Sequence, residues 1–155
     1  MRTSAVLYDT DFYAWVQDQA ALLAARRFAE LDLPHLVEEI QLMGNSERGE
    51  LANRLSVLLA HLLKLQIATE RLPCVYDRAQ RGWHLTGTEQ RLQLRKLLRR
   101  NPSLCPTVPD ELSDAYAIAR LQTAIALGVD EASVPLACPW TPEQALDAEF
   151  WPEAV

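Results

Sequence analysis

The chain has 155 residues, a formal net charge of −6 and a sequence pI near 5.0. Its length suits one domain, and its 49% hydrophobic and 23% charged residues are typical of a folded protein rather than a disordered one. The acidic balance argues against a general nucleic-acid binder, which needs a basic surface.

The N-terminal third of the chain predicts two helices. Apolar residues recur at i, i+3 and i+4 over about residues 9–25, which indicates the first of them. The second begins after Asp32, with a proline in its first turn, where the missing N–H costs nothing. Gly44-Asn45 then indicates a stop, a hinge or a bend, so this helix and the next form either one bent helix or a hairpin.

The third segment, about residues 46–71, carries the strongest helical signal. Five leucines step by four and three residues, as in a heptad seam: Leu51, Leu55, Leu58, Leu62 and Leu65. Three more apolar residues widen this seam: Leu59, Leu63 and Ile67. A helix that is apolar over so much of its girth must be covered on several sides, so we expect it to be the central helix of a bundle.

The second half of the chain predicts a linker and three more helices. Residues 72–85 resemble a linker, and helices follow over about 86–100 and 110–128. A short helix begins at Thr141, where Thr-Pro-Glu-Gln forms a capping box. Because no segment alternates as a strand does, the predicted fold is all-α. We expect a compact single-domain helical bundle over residues 5–153, with about five main helices, a short C-terminal helix and about 60–65% helix.

The chain lacks the sequence patterns of common metal and nucleophile chemistry. It contains no Glu-x-x-His, His-Glu-x-x-His, Cys-x-x-Cys, Gly-x-Ser-x-Gly or phosphate-loop motif. Its three cysteines are far apart in sequence, which makes a poor disulfide framework and a poor zinc site. The sequence therefore predicts no catalytic residue, no cofactor and no metal.

One group of charged residues borders the leucine seam. This candidate polar cluster comprises Glu38, Glu39, Glu47, Glu50, Arg54 and His61. The four members on the third segment fall within about 60° of one another at ~100° per residue, and the other two approach them if the chain reverses at Gly44-Asn45. Carboxylates beside a histidine would suit an acid–base or metal pocket. Charged residues are nevertheless usual on the borders of amphipathic helices, which favours a salt-bridge network.

Charge is unevenly distributed along the chain. Residues 77–100 contain seven bases and two acids, whereas residues 101–155 contain nine acids and one base. Three arginines at i, i+4 and i+8 form a candidate partner surface: Arg91, Arg95 and Arg99. Like charges at this spacing repel by ~0.2–0.5 kcal/mol per pair, so they favour an acidic partner. That partner is the acidic C-terminal third of the chain, another protein or a second copy, while the overall charge disfavours nucleic acid.

The sequence also predicts neither a membrane-spanning helix nor a secretory signal. The longest uncharged stretch, residues 132–142, is shorter than the ~20 apolar residues that a membrane-spanning helix needs. No apolar segment precedes Asp9, so we predict no secretory signal. These observations predict a cytoplasmic protein that does not enter a membrane.

Short segments along most of the chain occur in a specific order: Leu7–Trp15, Phe28–Asp32, Leu36–Ile40, Gly44–Arg48, His61–Lys64, Glu89–Arg91, Asn101–Leu104 and Cys138–Gln144. Together they resemble the family of the bacterial domain of unknown function number 29. The chain departs from that family at Gly87, where a larger residue is typical. The resemblance implies a compact helical bacterial protein and no particular activity.

Two functional interpretations remain open from the sequence. The missing catalytic motifs and the separated basic and acidic regions favour a small non-enzymatic interaction or assembly module. The alternative is a small-ligand or metal-binding enzyme that uses the candidate polar cluster.

Overall fold

The computed structural model describes residues 4–152, which form six α-helices. They are α1 Ser4–Thr10, α2 Phe12–Ala24, α3 Leu33–Arg71, α4 Pro73–Arg100, α5 Val108–Leu127 and α6 Pro142–Leu146. The described residues contain no β-strand, which confirms the all-α prediction. The α-helices and the short 3-10 helices together make up 84% of the structure, more than the predicted 60–65%. No helix within residues 4–152 is long and apolar enough to cross a membrane.

The chain divides into two compact units, residues 1–46 and 47–155. The division falls within α3, whose first part belongs to the first unit and whose remainder belongs to the second. A single domain over residues 5–153 stays a prediction, and its last residue, Glu153, lies outside the described residues.

Of the alternatives at Gly44-Asn45, the stop and the hairpin are wrong, because α3 continues through both residues and the two predicted helices form one. A glycine inside a helix costs about 1 kcal/mol relative to alanine, which weakens a helix without ending it. Gly44 keeps a negative φ, so the left-handed geometry of a helix stop is absent there. The linker predicted over residues 72–85 is helical from Pro73 onward, and Leu72 is the N-cap residue of α4. Pro73 occupies the first turn of α4, where it needs no hydrogen-bond acceptor.

The core of the second unit forms around α3. All five seam leucines have 0% exposure, and the residues that widen the seam are buried with them. Leu94 from α4 and Leu112 from α5 join the same apolar cluster. Because burying a leucine side chain stabilises the fold by about 1.5–3 kcal/mol, this cluster is the main source of stability in the second unit. The prediction of a central helix is confirmed for this unit.

The C-terminal segment covers part of this core. Thr141 caps α6 through the predicted capping box with Gln144. Beyond α6, Trp151 packs against the cluster, and two atoms of its ring lie 3.0 and 3.1 Å from where a Cβ on Gly87 would be. The glycine therefore makes room for an indole in the middle of α4.

We expect Gly87→Leu to displace Trp151 and to destabilise the second unit. Its Cβ alone would touch the indole, and overpacking of this kind costs about 1–3 kcal/mol. Thermal unfolding and tryptophan fluorescence measure the effect. Gly82→Leu is the matched control, since a Cβ at Gly82 meets nothing within 4 Å. Equal unfolding temperatures for the two variants would contradict this packing.

Candidate functional site

The first unit contains an open apolar groove between α2 and the first part of α3. It encloses about 430 Å³. The side of α2 that lines it comprises Phe12, Trp15, Val16, Gln19, Ala20 and Leu23. The side of α3 that lines it comprises Leu36, Glu39, Ile40 and Met43. Both sets follow i, i+3, i+4, i+7 spacing, so each wall is one face of a helix.

Large apolar side chains are concentrated on the surface of this unit. Of the 18 that are exposed among residues 6–152, eleven lie between Val6 and Met43. Two of them line the groove at high exposure, Ile40 at 65% and Met43 at 70%. Among residues 6–46 only Trp15, Gln19 and Leu22 are buried. Five of the eleven line the groove: Phe12, Val16, Leu23, Ile40 and Met43. Exposed apolar side chains that lie together in this way are typical of an interaction surface.

Polar contacts at Asp32 hold the two walls of the groove. The Asp32 carboxylate accepts hydrogen bonds from Trp15 Nε1 at 3.1 Å and from His35 Nδ1 at 2.8 Å. The backbone N–H of Asp32 donates to Gln19 Oε1 at 2.8 Å. The residue that precedes α3 is therefore tied to two side chains on α2, which sets the spacing of the walls.

Tyr8 from α1 completes this cluster. Its ring stacks on His35 with 3.9 Å between centroids and meets Trp15 edge-on at 5.0 Å. Its hydroxyl donates to Glu39 Oε1 at 2.6 Å. This hydrogen bond, with burial and the nearby carboxylates, raises the pKa of Tyr8 to about 12. Tyr8 therefore stays protonated and keeps Glu39 in place at neutral pH.

The cluster organises the groove and offers few groups for chemistry. A carboxylate that accepts a hydrogen bond from a histidine Nδ1 can orient that histidine as a general base, and Asp32 and His35 have this arrangement. The donors of Tyr8 and Trp15 are already engaged with carboxylates. In the part of the chain that the structure describes, no group of three or more His, Cys, Asp or Glu could hold a metal ion. The hydrogen-bonding groups of the cluster thus serve to hold the two helices that form the groove.

We expect the stability of the first unit to fall in acid because of Asp32. Burial acts to raise the pKa of Asp32, but the hydrogen bonds from His35 and Trp15 outweigh it and leave the pKa below its usual value of 3.8. A lowered pKa in the folded state stabilises the fold above the unfolded pKa, and that stabilisation is lost as pH falls through the folded pKa.

The test is to compare Asp32→Asn with the wild type. The variant should be less stable at neutral pH and should lose part of the acid dependence between about pH 5 and pH 2. Hydrogen exchange of the α2 amides against pH measures this locally. Asp9→Asn, which changes an exposed carboxylate on α1, is the control. An identical acid dependence in Asp32→Asn and the wild type would contradict the assignment.

The candidate polar cluster is split between the two units. Glu38 and Glu39 lie in the first unit, and the other four residues lie in the second. The chain reversal that would have joined the two sets does not occur, since α3 continues through Gly44-Asn45. The reason is that the helical propensity of the flanking residues outweighs the cost of one glycine.

The remaining members of the cluster form separate contacts within the second unit. Glu47 accepts hydrogen bonds from Arg100 and Asn101, at 3.1 and 2.9 Å. Glu50 pairs with Arg54 at 2.8 Å, and Arg54 also donates to Gln90. These contacts correspond to the salt-bridge interpretation of the sequence.

His61 is occupied by its own helix. Its Nδ1–H donates to the carbonyl oxygen of Val57 at 2.8 Å. Burial lowers the pKa of His61. The hydrogen bond to Val57 acts to raise this pKa, and the positive charge of Lys64 lowers it further. His61 is therefore a neutral, half-buried side chain near pH 7 rather than a partner of the glutamates.

The candidate partner surface is also divided. Arg91 is 3% exposed, so its assignment to an accessible surface is wrong, whereas Arg95 and Arg99 are exposed. Arg91 donates to the carbonyl oxygens of Ala145 and Phe150, at 2.9 and 2.8 Å, and its guanidinium lies 4.5 Å from the centre of the Trp151 ring. Each step of four residues moves the side chain about 40° further around the helix. Arg95 and Arg99 therefore lie progressively further from the core than Arg91.

The Asp32 cluster was not predicted from the sequence. The spacing of Asp32 and His35, three residues apart at the start of a helix, was an available signal. The aromatic residues at positions 8, 12 and 15 recur at i, i+4 and i+7 and were a second signal. Their meeting depends on the turn between α2 and α3, which periodicity does not determine.

Comparison with known proteins identifies a family and no activity. The family model described as "Domain of unknown function DUF29" matches residues 7–151, which is nearly the whole chain. No curated protein and no solved structure matches the chain significantly.

Proposed function

Because the chain belongs to the DUF29 family, whose description names no activity, we propose a function from its surface. The first unit is a docking module that binds an amphipathic helix of a protein partner in the apolar groove. The protein is thus an interaction or assembly module, and a cytoplasmic location is part of the same proposal. The observation that carries it is the open groove between two helices with eleven exposed apolar side chains in its unit.

The dimensions of the groove suit a helix. Its α2 wall extends from Phe12 to Leu23, which is eleven residue steps, or about 17 Å at 1.5 Å per residue. This length accommodates about three turns of a bound helix. Helix-in-groove recognition places apolar side chains at i, i+3 or i+4, and i+7 of the bound helix against such a wall.

The polar groups of the groove do not favour a small ligand. Binding sites for small molecules combine apolar walls with a few polar groups that fix the ligand's orientation. Gln19 and Glu39 are the polar side chains among the ten lining residues. Gln19 accepts from the backbone of Asp32 and Glu39 accepts from Tyr8, so both already serve the unit itself. The walls are thus adapted to apolar contact over a length of helix.

Site-specific photo-crosslinking in the host cell tests this function. A photoreactive residue replaces Met43, which is exposed and lines the groove. The matched control places the same residue at Gln41, which is exposed on the same helix and does not line the groove. We expect an adduct from position 43 alone, and its cross-linked peptide should carry apolar residues at helical spacing. No adduct from position 43, or the same adducts from both positions, would overturn the proposal.

A further inference from the structure

We propose that the helix which docks in the apolar groove is α4 of a second copy of this chain. This inference rests on the docking function proposed above and names its partner. It is carried by three properties of α4: an exposed apolar pair, a basic surface around that pair, and a length that matches the groove.

The outer side of α4 presents a regular exposed stripe. Leu85 and Leu92 are 63% and 57% exposed and lie seven residues apart, so they share one face. Basic residues continue this face in both directions. We call the following set the α4 stripe: Arg78, Arg81, Leu85, Leu92, Arg95 and Arg99. It has the pattern of a basic amphipathic helix with an apolar centre.

The charges of the two surfaces are opposite. Residues 1–46 contain seven acids and three bases, a net charge of −4, whereas residues 73–100 contain seven bases and two acids, a net charge of +5. Glu39 lies in the wall of the groove, and Asp11 lies beside the lining side of α2. Within the described residues of the second unit, 47–152, none of the four arginines of the α4 stripe forms an ion pair with a carboxylate. The stripe therefore retains its charge for a partner.

The lengths of the two surfaces also agree. Leu85 and Leu92 are separated by about 10 Å along the helix, which fits within the ~17 Å of the groove. Arg78 and Arg99 are separated by about 32 Å, so they extend past both ends of the groove. The apolar centre of the stripe can thus lie against Ile40 and Met43 while arginines approach Glu39 and Asp11.

Between two copies, contact of a groove with an α4 stripe is favoured over contact of one groove with the other groove. Two first units in contact would bring two net charges of −4 together, which opposes association. Contact between the groove of one copy and the α4 stripe of another joins opposite charges instead. In a two-fold dimer this contact occurs twice, so both grooves and both stripes are covered.

The experiment is sedimentation equilibrium of the full chain with two variants and their mixture. The wild type should have a mass of about 35 kDa, twice 17.5 kDa. Ile40→Asp damages the groove and Leu85→Asp damages the stripe, so each alone should raise the dissociation constant about tenfold or more. An equal mixture of the two variants should recover a 35 kDa species, because one undamaged groove then meets one undamaged stripe.

Matched controls place the same change on exposed positions elsewhere. Gln41→Asp lies next to the groove residue Ile40 on α3, and Leu121→Asp removes an exposed leucine from α5. Both should keep the mass of the wild type. Arg95→Glu combined with Arg99→Glu should weaken the dimer without a change in core packing, since both side chains are exposed. Added salt should also weaken the wild-type dimer, because it screens the attraction between the basic stripe and the acidic unit.

Each other result has a definite meaning. A wild type that stays at 17.5 kDa overturns the second copy as the partner, and the crosslink from position 43 then decides the docking function separately. A dimer that Ile40→Asp breaks and Leu85→Asp leaves intact overturns α4 as the bound helix but retains the groove as the interface. Failure of the mixture to recover the 35 kDa species overturns the reciprocal contact.

Discussion

Arg91→Ala is expected to lower the free energy of unfolding by about 3 kcal/mol. The buried guanidinium supplies hydrogen bonds to the carbonyl oxygens of Ala145 and Phe150, and bonds to charged groups contribute about 1.5–3 kcal/mol each. Without Arg91 these carbonyls lose their donor, and the indole of Trp151 loses the cation beside it. The second unit should therefore release its C-terminal segment.

The measurement is thermal unfolding followed by circular dichroism. A loss of about 3 kcal/mol corresponds to about 6–12 °C in a chain of this length. Arg95→Ala is the matched control, because Arg95 lies one turn further along α4 and is exposed. Its effect should stay within about 0.5 kcal/mol. The same unfolding temperature in both variants would show that Arg91 does not hold the C-terminal segment.

Trp15→Ala is expected to have a comparable effect, confined to the first unit. Trp15 is one of three buried residues among residues 6–46, and truncation of a buried tryptophan costs about 3–5 kcal/mol. It also removes the N–H that Asp32 accepts and the ring that Tyr8 meets. A unit with so small a core should open locally while the leucine core of the second unit stays folded.

Hydrogen exchange resolved by segment measures this local opening. The amides of α1 and α2 should exchange much faster in Trp15→Ala, and those of α5 should keep their rates. Tyr13→Ala, at an exposed aromatic position on α2, should leave both sets unchanged. Faster exchange throughout the chain would show instead that the two units unfold together.

The core of the second unit was predictable because its signal is local and redundant. The leucine seam of α3 repeats over four turns, and apolar residues on its other sides indicate that neighbours cover it. The capping box at Thr141 is equally local, since both partners lie within four residues. Such patterns predict a buried helix and a helix start without knowledge of the rest of the fold.

Features that depend on the balance of small energies were not predictable in the same way. Gly44-Asn45 carries a weak stop signal, and its outcome depends on the residues on both sides. Arg91, Arg95 and Arg99 recur every four residues, so their spacing does not distinguish them. Arg91 is buried because the segment with Ala145 and Trp151 packs over it. Periodicity shows which residues share a face and does not show which face the C-terminal segment will cover.

The candidate site could not be predicted because it is formed by contacts between residues that are far apart in the sequence. Tyr8 and Glu39 are 31 residues apart, and Trp15 and Asp32 are 17 apart. Each residue alone has an ordinary explanation, as a helix cap, a core aromatic or a surface charge. Their joint role in holding the groove emerges only when the turn between α2 and α3 brings the two helices together.

Coverage of the apolar groove by a bound helix can be measured by hydrogen exchange of residues 12–43. The full chain, Ile40→Asp and Gln41→Asp are compared at a protein concentration where the wild type is associated. We expect slow exchange in the wild type and in Gln41→Asp, and faster exchange in Ile40→Asp, since only the last variant damages the groove. Identical exchange rates in all three proteins would contradict this coverage.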